Sequence, residues 1–281
     1  MKILVIGGTS AVAKVLIPML ADFSQVITTG RTDGDIRLDL SLESPIHFAK
    51  DIDVVIHLAA HFGGKKSEEI MDAEKINVLG TLRLCHAAVE ANVRHFIFVS
   101  SIYSQIELQS PLFSSYALSK RHAEEAAQYF CDQNPLTLTI LRPSQLYGNT
   151  EDFRKHQPFF YAMTDKAERG EDIVLFGKND ARRNFLHAED LARLISKVVQ
   201  QRLAGIYACQ YPSDTSISEI ARAASTAFNS KGKVFFQEEK ENIQDNVFPI
   251  DEELYTKLNY YPIISVEEGM KAIAQKRILQ A

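Results

Sequence analysis

The chain has 281 residues, 46% apolar and 24% charged, with a formal net charge of −5. That composition supplies a packed core and excludes a disordered chain, and the even mixing of acids with bases excludes a basic face for nucleic acid. The opening Met1–Gly8 lacks the layout of a signal peptide, and no apolar run approaches the roughly 20 residues that span a bilayer, so a cytoplasmic protein with no membrane partner is expected.

Lys2 to Ile6 is a β-branched run ending in Gly7-Gly8, and Ala11 to Ala21 follows with apolar residues at helical spacing. Gln25 to Thr29, Asp53 to Leu58, Arg94 to Ser100 and Leu136 to Leu141 repeat the strand signal, each too apolar to keep one face in water. Ser67 to Ala91 and Ser114 to Cys131 read as long amphipathic helices between them. This alternation predicts an α/β fold of the Rossmann type, a doubly wound parallel sheet over residues 1–148. Past Gly148, helices are predicted over Gln157–Gly170, Ala188–Gln201 and Ser216–Phe228, with an extended Asp172–Phe176, and 149–281 is assigned mainly to a small C-terminal substrate-binding lobe, with a chain crossing between the two allowed.

Small residues stand where the first strand turns into its helix, spaced Gly7-x-x-Ser10-x-x-Ala13. Such a turn lets backbone amides approach a pyrophosphate, which makes Gly7, Thr9, Ser10, Ala11 and Val12 candidate cofactor residues. The second strand should end beside the adenosine ribose, where a carboxylate selects NAD and arginine accommodates the 2′-phosphate of NADP. Arg31 occupies that place with Thr32 beside it, so NADP(H) is favoured, and Asp33 and Asp35 close behind keep NAD(H) open. Asp39 ends a further extended segment and is placed to accept from the adenine amino group.

Tyr116-Ala-Leu-Ser-Lys120 puts a phenol and an ammonium four residues apart on one helix face. A neighbouring cation favours the phenolate, so Tyr116 is expected to titrate below its ordinary range and serve as acid and base. Ser101 follows the strand Phe96–Val99, and ligands of parallel sheets bind beyond the carboxyl ends of the strands. It can donate to the oxygen that Tyr116 protonates, while Lys120 reaches the nicotinamide ribose. The three cysteines, Cys85, Cys131 and Cys209, form no Cys-x-x-Cys pair, and His57 and His61 lie at a strand end, so no metal is expected.

With these motifs the chain resembles the extended short-chain dehydrogenase/reductase family, which includes nucleotide-sugar epimerases, dehydratases and 4-ketoreductases. The resemblance also rests on Asp39-Leu40, His57-Leu-Ala-Ala60, Asn77-Val-Leu-Gly-Thr81, Leu141-Arg-Pro-Ser-Gln-Leu-Tyr-Gly148 and Arg183-Asn-Phe-Leu-His-Ala-Glu-Asp190. It implies that Leu40, Leu58, Ala59, Ala60 and Pro143 border the cofactor, that Asn77 braces the active-site helices, and that Gln145 and Arg183 meet a nucleotide-sugar, Arg183 at its diphosphate. His187, among apolar neighbours, reads as structural.

Dehydratases of the family usually carry an Asp-Glu pair directly after the serine or threonine, whereas Ile102 and Tyr103 follow Ser101 here. That leaves a 4-ketoreductase, favoured through Arg31 and NADPH, and a 4-epimerase with recycled NAD. A reductase of small carbonyl compounds would have no use for Arg183, and a redox-inactive cofactor sensor none for the Ser101, Tyr116 and Lys120 set. A homodimer is expected through the helices Ser67–Ala91 and Ser114–Cys131.

Overall fold

β-Branched and aromatic runs form the centre of a parallel sheet in the computed structural model, which describes residues 1–280. In chain order come β1 (Lys2–Ile6), α1 (Ala11–Ala21), β2 (Gln25–Gly30), β3 (Ile36–Arg37), β4 (Val54–His57), α2 (Ser67–Ala73), α3 (Gly80–Glu90), β5 (His95–Val99), α4 (Ser115–Asp132) and β6 (Thr137–Pro143). There follow β7 (Gln145–Tyr147), α5 (Pro158–Glu168), β8 (Ile173–Phe176), β9 (Arg182–Arg183), β10 (Phe185–His187), α6 (Ala188–Gln201) and β11 (Gly205–Cys209). The chain ends in β12 (Thr215–Ser216), α7 (Ile217–Ala227), β13 (Val234–Gln237), α8 (Glu253–Leu258) and α9 (Val266–Gln280).

The main sheet has seven strands in the order β11-β6-β5-β4-β1-β2-β3, with every pairing parallel. Parallel strands need crossovers that cover both faces, which is why β4 and β5 are buried throughout and read as unbroken apolar runs. Ile6 is level with His57, and His57 with Phe98. This register sets Gly7, Leu58 and Val99 side by side at the carboxyl edge of the sheet.

Two compact units divide the chain: Met1–Pro143 with Ala192–Cys209, and Ser144–Leu191 with Gln210–Ala281. The crossing allowed for between 149–281 and the first unit lies at Ala192, where the chain returns to the first unit until Cys209. β11 adds to the sheet beside β6, and α6 is its crossover helix. The run Gly205-Ile-Tyr-Ala-Cys209 is short and apolar, so periodicity alone does not tell a sheet strand from a lobe strand. The second unit holds three two-stranded pairings, β7 with β10, β8 with β13, and β9 with β12.

The helix expected over Ser67–Ala91 is interrupted by a π-helical turn, Glu74–Leu79, between α2 and α3. Such turns rotate the residues they contain and recur at functional sites. Here the turn carries Asn77, buried and facing two other elements.

Candidate active site

The turn after β1 is built for close backbone approach. Gly7 has φ +82°, and a Cβ there would stand 2.9 Å from the Ala59 amide nitrogen. Ser10 is the N-cap of α1, its hydroxyl accepting from the Ala13 amide at 3.2 Å. The serine thus earns its place in the spacing as a cap as well as by its size. Ala11 and Val12 open the helix, where amides have no intrahelical partner and the helix dipole favours an anion. Leu58 donates its amide to Ile6 O, and Ala59 lies against Gly7, so the residues expected around a pyrophosphate do come together. A dinucleotide phosphate fits this cradle, in which any larger residue at position 7 would collide with Ala59.

At the end of β2 the side chains separate cleanly by role. Asp35 folds back on the strand, accepting from the Thr28 amide and hydroxyl, both at 2.8 Å. These two bonds, the amide first, hold its carboxyl below the ordinary range. Asp39 accepts from Ser41 through amide (2.9 Å) and hydroxyl (2.7 Å) on one oxygen, and the hydroxyl is the larger cause of its lowered pKa. The Asp39 oxygen Oδ1 therefore shapes its own turn, and Leu40 beside it is buried against Gly80. Arg31 is exposed, and its charge is felt at Asp39.

The chemistry-bearing residues meet at the carboxyl end of β5. Ser101 caps a short 3₁₀ turn, Ile102–Gln105, accepting from the Tyr103 amide at 3.2 Å, and its hydroxyl lies near enough to Tyr116 to act on the phenol's pKa. Lys120, one helical turn beyond Tyr116, is buried, donates from Nζ to Val99 O at 3.0 Å, and lies 4.7 Å from the centre of the Phe98 ring. Its ammonium is 5.9 Å from the Tyr116 ring centre.

Electrostatics in the site run opposite to the expectation from spacing alone. Burial pushes the Tyr116 phenol up to about 12, with the Ser101 hydroxyl opposing it. Lys120 is pushed down to about 7, again by burial, against a smaller opposing effect of Glu124. The lysine does not lower the phenol's pKa here because it is itself desolvated and turned to Val99 O.

Asn77, Ser115, Arg121 and the Glu124–Arg142 pair fix α4 and the loop that faces it. Asn77 accepts from the His61 amide (2.8 Å) and donates to His61 O (2.8 Å) and Ser119 Oγ (2.9 Å), the bracing role expected of it. Ser115 Oγ accepts from the Gly64 amide and donates to Gly64 O. Arg121 donates to Ser104 O at 2.9 Å and to Ile106 O. His57 stacks on Phe98 with 5.3 Å between centres and pairs with Thr81 Oγ1 at 3.1 Å, and burial, then the Lys120 charge, depresses it to about 3. Glu124, 2% exposed, takes a forked ion pair from Arg142 of β6. Removing either partner of such a buried pair costs about 3 to 5 kcal/mol. Phe62, Ser115, Glu124 and Arg142 were not visible as site residues in the sequence; Glu124 carried only the hint of lying four residues beyond Lys120 on the same helix face.

In the second unit, Gln145 begins β7 and its side-chain amide oxygen Oε1 is buried with no hydrogen-bond partner among the described residues, as is the hydroxyl of Ser144. Pro143 ends β6 in the first unit. Arg183 donates from Nη1 to Arg182 O (3.0 Å) and Gln244 O (2.6 Å), so a segment some 60 residues downstream holds the guanidinium. His187 sits between Asn149 Oδ1 (3.1 Å) and the Glu189 amide (3.2 Å), a structural histidine.

Residues 3–208 match the model of the NAD dependent epimerase/dehydratase family. A putative UDP-glucose 4-epimerase of Methanocaldococcus jannaschii is 26% identical over 86% of this chain and 81% of its own length. The crystal structure of UDP-N-acetylglucosamine 4-epimerase from Bacillus cereus superposes with a TM-score of 0.82 at 22% identity, covering 98% of this chain and 99% of that one. The structure of RMD from Pseudomonas aeruginosa complexed with NADPH gives 0.79 at 19% identity, covering 100% and 99%. The turn at Gly7, the Ser101, Tyr116 and Lys120 cluster and the family match over most of the chain agree, and the protein belongs to the NAD dependent epimerase/dehydratase family of nicotinamide-dependent, nucleotide-sugar-modifying enzymes.

Proposed function

We propose that this chain is an NADPH-dependent 4-ketoreductase of a nucleotide-sugar. The observation that carries the chemistry is the meeting of Ser101, Tyr116 and Lys120 at the carboxyl edge of β5, in the same unit as the Gly7 turn. A nicotinamide bound there would supply the hydride. Tyr116 then gives its proton to the carbonyl oxygen, Ser101 donates a hydrogen bond to that oxygen, and Lys120 reaches the nicotinamide ribose. Gly7, Thr9, Ser10, Ala11, Val12, Leu58, Ala59 and Ala60 are assigned to the cofactor, with Asp39, Leu40 and Pro143, and Gln145 and Arg183 to the substrate. In the reverse sense the phenolate takes the proton, so the same residues would serve a 4-epimerase. The relative named as a putative UDP-glucose 4-epimerase favours that second reading.

The choice turns on Arg31, near which Asp35 turns its Oδ2 back onto Thr28. Arg31→Ala is expected to weaken NADP(H) about tenfold or more while leaving NAD(H) nearly unchanged, since a hydrogen bond to a charged group contributes roughly 1.5 to 3 kcal/mol. Titrating both cofactors against both proteins checks it. A wild-type preference for NAD(H) would move the assignment to the epimerase.

We also propose a homodimer through α2, α3, the π-helical turn between them and α4, where Met71 of α2, Leu79 of the turn and Tyr129 of α4 are exposed. Sedimentation at micromolar concentration should give twice the monomer mass, and a monomer would refute it.

A further inference from the structure

The loop after β4 presents an aromatic residue to the catalytic phenol on a rigid mount. Phe62 stacks on Tyr116 with 4.9 Å between ring centres and 16° between planes, yet is 52% exposed. An exposed apolar residue needs no explanation by itself. What calls for one here is the cost of holding it in place.

On its N-terminal side, the amide and carbonyl of His61 are both bonded to Asn77, and the His61 ring accepts from the Gly63 amide at 3.0 Å. On its C-terminal side, Gly63 adopts φ +66°, and a Cβ there would lie 2.2 Å from Ser115 Oγ. Gly64 is bonded through both amide and carbonyl to that same hydroxyl. Asn77 and Ser115 belong to the elements that fix α4, so the loop and the helix bearing Tyr116 are one mechanical piece. Phe62 is thus preorganised, with aromatic surface left over after its stack on the phenol.

We propose that Phe62 is a sugar platform: its open surface packs against the C–H-lined face of the substrate's hexose and sets the carbonyl carbon against Tyr116 Oη. The inference rests on the nucleotide-sugar reading given above. An aromatic ring suits this task because it offers a flat apolar surface with a negative face to polarised C–H groups. It leaves the hydroxyl groups at the sugar's edge to polar partners, and it costs little conformational entropy to order, since its mount already holds it. Phe62 acts on the hexose and through Tyr116; it transfers no proton.

The test measures what the hexose adds to binding. Affinities of wild type, Phe62→Ala and Phe62→Tyr are determined for UDP-, dTDP-, GDP- and CDP-hexoses and for the matching free nucleoside diphosphates, with NAD⁺ and NADP⁺ titrated separately. For the best-bound pair, Phe62→Ala should cut the preference for the sugar nucleotide over its free diphosphate about five- to tenfold. Phe62→Tyr should keep that preference, and the affinities for free diphosphate and cofactor and the melting temperature should not move. An unchanged preference in Phe62→Ala, or an equal loss for free diphosphate or cofactor, would overturn the platform while leaving the nucleotide-sugar reading intact. Failure of the wild type to bind any of these nucleotides would overturn both.

Discussion

Tyr116→Phe is expected to turn over roughly a thousandfold more slowly than wild type while binding cofactor with unchanged affinity. General acid-base transfer by a positioned side chain contributes about 10² to 10⁴ in rate, and the substitution removes only the oxygen that performs it. The ring would stay, because its stack on Phe62 and its place in α4 do not need the hydroxyl. Steady-state rates and a cofactor titration on the same preparation check both halves. Retention of more than a tenth of the wild-type rate would remove Tyr116 from the chemistry, and a large loss of cofactor affinity would mean that the variant had disturbed more than a proton.

Lys120→Met is expected to be equally inactive and, in the cofactor-free protein at pH 7, more stable. The lysine is buried and titrates near 7, against 10.5 for the unperturbed side chain. Between those two values the unfolded chain binds the proton and the folded chain does not, so stability rises with pH across that window and the penalty is complete below about 7. The thioether fills similar volume without the charge, for a gain of about 2 to 4 kcal/mol after loss of the bond to Val99 O. For a chain of this size that is roughly 5 to 10 °C in melting temperature. The gain should shrink at pH 10, where the wild-type lysine is already neutral in the fold. A variant less stable than wild type at pH 7, or a difference that does not change with pH, would contradict it. The same residue weakening the fold and serving the reaction is the usual cost of placing a charge where chemistry needs it.

Much of this arrangement is legible in the residues themselves. Strands β1, β4 and β5 read correctly because each is covered on both faces and runs as an almost unbroken apolar stretch. Tyr116 and Lys120 could be placed together because four residues on a helix bring two side chains to one face, and Ser101 because ligands gather at strand ends. What stayed hidden depends on contacts far apart in the chain. Arg183 is held by the backbone carbonyl of Gln244, and Lys120 by that of Val99, and a backbone acceptor does not depend on residue type and so leaves no signal in the sequence. The raised pKa of Tyr116 follows from burial that spacing does not encode. Phe62 is set apart only by the clamps that Asn77 and Ser115 place on its two flanks, contacts that no local pattern encodes. Helix α9 went unread because its buried stripe, Val266, Met270, Ile273 and Ala274, is blurred by the exposed Ile278 and Leu279.

The proposal that Tyr116 and a bound nicotinamide reduce a nucleotide-sugar can be weighed by the stoichiometry of cofactor and product. With a nucleotide-4-ketohexose and NADPH, absorbance at 340 nm followed beside product formation should show one NADPH consumed for each 4-hydroxy sugar formed, and no consumption by Tyr116→Phe. The absence both of cofactor consumption with any nucleotide-4-ketohexose and of interconversion of nucleotide-hexoses in the presence of NAD⁺, across the UDP, dTDP, GDP and CDP series, would contradict the account.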